Sequence, residues 1–303
     1  MPGILDAARA RWTYLTYRSI GATLGHLPEA AADVVAGAVA GTLATVPGRM
    51  PDMYGRHLGR VLGRRLSPHE QRRWTRRAYR SYARYWLEGA RLASIDPEVV
   101  DARMTMESGW EQFTEAMAAG RGVVLALPHV GSWEWGGAWL ARRGYPMTAV
   151  AELLEPPELY QWFVRQRQRL GLTIVPLGPE AGGVLLRTLR AGGLVGLLCD
   201  RDIVGNGIEV DFFGERTTLP GGPATLALRT GAALMAGAVY SGPGKNHTAV
   251  ILPSLPTERT GSLRTDVTRL TQALAGDLET LIRRAPEQWH VFQPNWPSDR
   301  PPA

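Results

Sequence analysis

His129 and Glu134 are a histidine and a carboxylate five positions apart, placed where chemistry is easy to arrange. An apolar run, Gly122–Leu127, ends in Pro128, and His129 follows at once. Read as a strand, this run delivers the imidazole to the C-terminal end of a sheet, the edge at which open α/β sheets bind ligands. Histidine exchanges a proton near neutral pH better than any other side chain. A carboxylate in the first turn of the next helix can reach back, fix the tautomer and stabilise the imidazolium. The same spacing also suits a capping histidine and an acidic residue favoured by the helix dipole. No nucleophile accompanies the pair. Gly-x-Ser-x-Gly is absent, Ser132 lacks that frame, and Cys199 reads as a core residue at the end of another apolar run. A histidine–carboxylate pair without a nucleophile suggests direct activation of a substrate hydroxyl.

Other polar residues fall at equivalent places. Glu152 follows the apolar run Met147–Val150, and Asp200-Arg201-Asp202 follows Leu194–Cys199. The aspartates read either as a turn or as a ligand pair, but two carboxylates without a third ligand are a weak metal signal. The remaining histidines, His26, His57, His69, His247 and His290, lack metal-type spacing, so no metal is expected. Arg165, Arg167 and Arg169 alternate along a helical stretch and so point in different directions.

The elements that must carry these residues follow from periodicity. Helices are expected from about Leu5 to Gly25, from Pro28 to Thr45, and from Ser67 to about Leu92. The last opens on a capping box with proline at its first turn, Ser67-Pro68-His69-Glu70. A second box, Ser108-Gly109-Trp110-Glu111, predicts a helix ending near Gly120. Beyond it, short apolar runs alternate with helices: Gly122–Leu127, Met147–Val150, Leu172–Val175 and Leu194–Cys199, separated by Ser132–Arg143, Pro157–Leu170 and Ala181–Arg190. That alternation argues for buried strands of a mainly parallel sheet. Ile208–Phe212 and Ala233–Tyr240 read as further strands flanking a helix from Gly222 to Arg229, Thr248–Leu252 as an antiparallel edge strand, and Leu263–Arg284 as a closing helix. The expected fold is α/β: a central, mainly parallel sheet flanked by helices, with a helical N-terminal extension. The 303 residues are read as a single domain, 1–100 helical and membrane-facing and 101–303 an α/β core.

Composition narrows the function. One cysteine excludes an intrachain disulfide framework and a cysteine-rich zinc site. The longest uncharged stretch near the start, Val34–Gly48, is broken by Pro47 and too short to span a bilayer. Charges at Asp6, Arg9, Arg11 and Arg18 interrupt any signal-peptide core. A soluble or peripheral cytoplasmic protein is therefore expected. The net charge of +6 conceals a concentration: between Arg56 and Arg91, 11 arginines face only Glu70 and Glu88. Such a face suits an anionic membrane, a nucleic acid or a phosphorylated substrate. Arginines interleaved with Trp and Tyr would fit a non-catalytic nucleic-acid binder. The separate strand-end His–Glu pair is better explained by a membrane enzyme, and no nucleic-acid partner is expected.

The ordered set of motifs resembles the bacterial acyltransferases that acylate lipid A precursors and, in actinobacteria, phosphatidylinositol mannosides. The likeness covers nearly the whole chain. It rests on Arg72–Glu88, His129 with Glu134, Val150-Ala-Glu152, and Phe163-Val164 with Arg167 and Leu170-Gly171. It continues through Asp200-Arg-Asp202, Val210-Asp-Phe-Phe-Gly214, Pro220–Ala224, and Trp289-His290 with Gln293-Pro294 and Trp296. Within the family the chain is most similar to the phosphatidylinositol mannoside branch. Ser132 stands where related sequences often carry Asn, and Asp200 where Glu is expected. The resemblance implies an O-acyltransferase on the cytoplasmic face of the membrane. It would move a fatty acyl chain from acyl-CoA to a mannose 6-hydroxyl of the lipid, without a cofactor. His129 would be the base and Glu134 its orienting carboxylate. Glu152, Arg167, Asp200 and Asp202 would bind the sugar–phosphate head group. A lipid A-type acceptor is the neighbouring alternative, and thioester hydrolysis is a third reading.

Overall fold

In the computed structural model the structure describes residues 49–300 continuously, with six further helical positions between 31 and 42. The helix expected from Leu5 to Gly25 lies outside the described residues.

The helical N-terminal part comprises α1 (Arg49–Val61), α2 (Pro68–Leu92) and the short α3 (Pro97–Ala102). Helix α2 opens on the expected capping box: Ser67 Oγ accepts from the Glu70 backbone N–H and the Glu70 carboxylate accepts from the Ser67 N–H. At its other end, buried Glu88 pairs with Arg84 at 2.6 Å and with His247 Nε2 at 3.0 Å, fastening α2 to the sheet.

The core alternates as the sequence predicts. Its elements are β1 (Met104–Ser108), α4 (Trp110–Ala118), β2 (Val123–Leu127), α5 (Trp133–Arg142), β3 (Met147–Ala151), α6 (Pro157–Arg169), β4 (Thr173–Pro176), α7 (Ala181–Arg190) and β5 (Leu194–Leu198). A hairpin of β6 (Ile208–Phe212) and β7 (Glu215–Leu219) follows, then α8 (Gly222–Thr230), β8 (Ala233–Ser241), β9 (His247–Ile251) and α9 (Leu263–Arg284). The main sheet has seven strands in the order β1-β9-β8-β2-β5-β3-β4. All its pairs are parallel except β8 with β9. Strand β2, central and buried along its whole length, is a run of Val, Leu and Ala, as a strand covered on both faces must be.

Two expectations are corrected. Ser108 does not cap a helix: it ends β1, and α4 starts from Gly109 with no side-chain cap. Strand β9 is antiparallel to β8 but is not the edge, because β1 pairs along its other side. Strand β1 reads Met-Thr-Met-Glu-Ser, too polar to stand out as an apolar run. Among the described residues, no helix is long and apolar enough to cross a membrane.

Candidate active site

The site forms where β2, β5 and the C-terminal segment meet. His129 leaves the end of β2 and Asp200 follows β5, its parallel neighbour in the sheet. The register sets Leu127 opposite Leu198, so the two residues emerge side by side. Asp200 Oδ1 lies 2.5 Å from His129 Nδ1, and Oδ2 accepts the His129 backbone N–H at 2.9 Å. Trp289 Nε1 donates to the same Oδ2 at 2.7 Å, and Asn295 donates to the Asp200 carbonyl at 3.0 Å. Asp200 is completely buried, whereas the His129 side chain is 26% exposed. Burial alone would raise the Asp200 carboxyl, but the charge and hydrogen bonds of His129 hold it below the usual carboxylate range. An ionised carboxylate on Nδ1 fixes the proton there and leaves the Nε2 lone pair free to accept one.

The backbone around His129 is equally constrained. Its carbonyl accepts the His290 N–H at 2.8 Å, and Val130 bridges Trp289. Gly131 then turns left-handed (φ 60°) and lies so close to β8 that a Cβ would sit 1.9 Å from the Val239 carbonyl oxygen. Only glycine fits. The C-terminal segment is held in turn by α1: His57 Nε2 meets Asp299 at 3.0 Å, and Arg60 reaches the same carboxylate at 3.0 Å. Burial opposes the charge on Asp299, yet the His57 hydrogen bond and the Asn295 and Trp296 N–H groups hold it well below the usual range.

His290 sits beside His129, its Nε2 2.9 Å from Ser81 Oγ of α2 and its ring against Tyr82 and Tyr85. Burial and the positive charge of His129 push its pKa down to about 3, so it stays neutral near neutral pH.

Glu134 is placed differently from the sequence expectation. Its Oε1 accepts from Tyr85 Oη of α2 at 2.9 Å and from Arg167 Nη2 of α6 at 2.9 Å. Its Oε2 is buried with no hydrogen-bond partner among the described residues. The carboxylate on His129 is therefore Asp200, not Glu134. The turn at Gly131 commits the chain to β8 before α5 begins, and the first turn of α5 offers Glu134 to α2 and α6 instead. Arg167, expected as a head-group ligand, is taken up by Glu134, with Trp133 and Phe163 under its guanidinium at 5.0 and 5.5 Å. Burial opposes its charge, but Glu134 keeps the guanidinium firmly protonated.

Asp202 is also committed. Its carboxylate takes the Gly205 N–H at 2.8 Å, the Gly207 N–H at 2.9 Å and the Thr218 hydroxyl at 2.8 Å, which staples the loop after β5. Glu152 is half exposed in the loop after β3, with Arg201 at 3.9 Å. Among the described residues, no three His, Cys, Asp or Glu side chains gather as a metal ion would require. Cys199 is buried in the core, and burial pushes its thiol well above the usual range. The sequence reading missed His290, Trp289, Ser81 and Tyr85 as parts of the site. Trp289-His290 was visible as a motif, but nothing in its spacing connects it to His129.

An apolar pocket opens beside this pair. It is a small void of about 30 Å³ between α5 and the sheet, and its lining includes Leu125, Pro128, Val130, Trp133, Trp139 and Met147. Gly136 lets α5 press onto β8: a Cβ there would meet Val239 Cγ2 at 2.6 Å. The arrangement sets an imidazole able to accept a proton between two residues, Pro128 and Val130, that line an apolar pocket.

The chain is similar to known acyltransferases. Residues 7–298 match the model of the bacterial lipid A biosynthesis acyltransferase family. A phosphatidylinositol mannoside acyltransferase of Mycolicibacterium smegmatis is 40% identical over 226 residues, covering 72% of this chain and 71% of that protein. A protein of the same description from Mycobacterium tuberculosis is also 40% identical over 226 residues, covering 72% of this chain and 69% of its own length.

Proposed function

Since the chain belongs to the bacterial lipid A biosynthesis acyltransferase family and is an acyltransferase, we propose that it moves a fatty acyl chain from acyl-CoA to a mannose hydroxyl of a phosphatidylinositol mannoside. His129 Nε2 takes the hydroxyl proton while Asp200 stabilises the imidazolium. The alkoxide attacks the thioester carbonyl, the C–S bond breaks, and the proton on Nε2 passes to the departing thiolate. Each turnover thus returns His129 to its starting state. Backbone N–H groups at the start of α5 are suited to the transient oxyanion. The apolar lining between α5 and the sheet, which includes Pro128 and Val130 beside His129, is suited to the first carbons of the acyl chain. Glu152 in the loop after β3, with Arg201 beside it, meets the sugar head. The reaction takes place at the cytoplasmic face of the membrane, to which the exposed arginines of α2 are attracted.

The observation that carries this reading is the His129–Asp200 pair at the C-terminal edge of the sheet, with Pro128 and Val130 on either side of His129 lining the apolar pocket. The test is mass spectrometry of products after incubation with palmitoyl-CoA and a panel of mannosylated and glucosamine lipids. An acylated mannoside and free CoA in equal amounts are the expected result. Free fatty acid with every acceptor would instead make the protein a thioesterase, and acylation of the glucosamine lipid alone would move the acceptor to the lipid A branch.

A further inference from the structure

Large apolar side chains exposed singly on a surface are ordinary, but here they are concentrated. Among the described residues four are exposed: Val34, Leu153, Ile203 and Val204. Three of the four lie on two loops at one edge of the sheet. Leu153, 60% exposed, stands in the loop after β3. Ile203 and Val204, 42% and 62% exposed, stand in the loop after β5. Strands β3 and β5 are parallel neighbours, and Arg201 reaches Glu152 at 3.9 Å between the loops. The same edge carries Asp200 and, one strand further, His129. The second loop is also rigid. Asp202 receives two of its backbone N–H groups and the Thr218 hydroxyl, so the Ile203–Val204 tip is held out rather than folded back.

Charge identifies the occupant. Helix α2 borders the site from another side, through Ser81 on His290 and Tyr85 on Glu134. In the two turns before Ser81, its Arg73, Arg76, Arg77 and Arg80 are exposed and form no ion pair among the described residues, Arg77 lying over the Trp74 ring. Apolar tips on the sheet edge that carries the site, and exposed arginines on the helix that borders it, match an anionic lipid surface, whose acyl region takes the first and whose head groups take the second.

We propose that Leu153, Ile203 and Val204 insert into the anionic bilayer that carries the acceptor. The choice of a bilayer rests on the acceptor being a lipid. The insertion seats the sheet edge, and His129 with it, at the level of the lipid head groups. The arginines supply long-range attraction and the tips supply depth.

The test measures binding without catalysis, so its failure is distinct from failure of the acyltransferase reading. The full chain and the triple variant Leu153→Ser, Ile203→Ser, Val204→Ser are floated with phosphatidylcholine vesicles containing phosphatidylinositol and no acceptor. The bound-to-free ratio of the triple variant is expected to fall about tenfold or more, and to stay low in high salt, which does not screen apolar burial. Arg73→Gln, Arg76→Gln, Arg77→Gln, Arg80→Gln should lose binding mainly at low salt. A second measurement guards against misfolding. Val204→Cys carries an environment-sensitive fluorophore, directed there because Cys199 is buried. Its emission is expected to shift blue when vesicles are added. Unchanged flotation of the triple variant, or no spectral shift at position 204, overturns the proposal. So does a parent that is a dimer by light scattering and a triple variant that is a monomer with unchanged flotation, since the tips would then join two copies of this chain.

Discussion

Asp200 grips His129 twice, on the ring through Nδ1 at 2.5 Å and on the backbone through the N–H at 2.9 Å. One buried carboxylate thus fixes the tautomer of the imidazole and the position from which it projects. Replacing Asp200 by Asn keeps the volume and removes the charge. The amide can offer N–H to Nδ1, which favours the tautomer with its proton on Nε2, the wrong one for a base. A loss of about 10³–10⁴-fold in turnover is expected, with little change in acyl-CoA KM. Initial rates of acyl transfer measure it.

His129→Ala removes the proposed base. Turnover should fall by about 10²–10⁴-fold while the melting temperature stays near that of the parent, because the ring is partly exposed. Near-parental turnover would exclude His129 as the base.

Glu134 and Arg167 form a buried pair, with side chains 8% and 17% exposed. Arg167→Ala strands a carboxylate whose Oε2 already lacks a partner among the described residues. The expected destabilisation is about 3 kcal/mol, as for other broken buried pairs. Pairing it with Glu134→Gln should recover much of that loss, because no charge is then left buried alone. Urea midpoints of the two single variants and the double variant decide the matter.

His290 links stability to pH. Its pKa lies at about 3 in the folded protein, below the ordinary histidine value. The unfolded chain therefore binds the extra proton first as the pH drops below about 6.5. The stability contributed by neutral His290 is complete above that pH and is lost as the pH falls toward 3, at up to about 1.4 kcal/mol per pH unit. His290→Gln should flatten this part of the profile, as followed by denaturant midpoints across the window.

Gly131→Ala forces a side chain into a left-handed position against the Val239 carbonyl. The conformation alone costs about 1–2 kcal/mol, and the backbone overlap adds to it. A lower melting temperature is expected, together with a loss of turnover greater than the stability change explains, because His129 is displaced with the turn. Equal effects on both would leave Gly131 a purely structural role.

The sequence by itself determined the alternation of the core and the strand-end position of His129. These follow from local signals: apolar runs such as Val123–Leu127, the Ser67–Glu70 capping box, and periodicity along α2 and α9. Strand β1 escaped because Met-Thr-Met-Glu-Ser has no local apolar signature; its identity comes from pairing with β9, more than a hundred residues away in sequence. The partner of His129 was decided in the same way. Glu134 is close in sequence, and spacing favours it. Asp200 is 71 residues distant and wins because β2 and β5 are adjacent and in register, and because Trp289 and Asn295 close over it. Asp202, two residues further on, is drawn into its own loop by the N–H groups of Gly205 and Gly207. Helical or strand character is set within a few residues, whereas the direction of a buried carboxylate is set by whichever donors the packed fold brings within 3 Å.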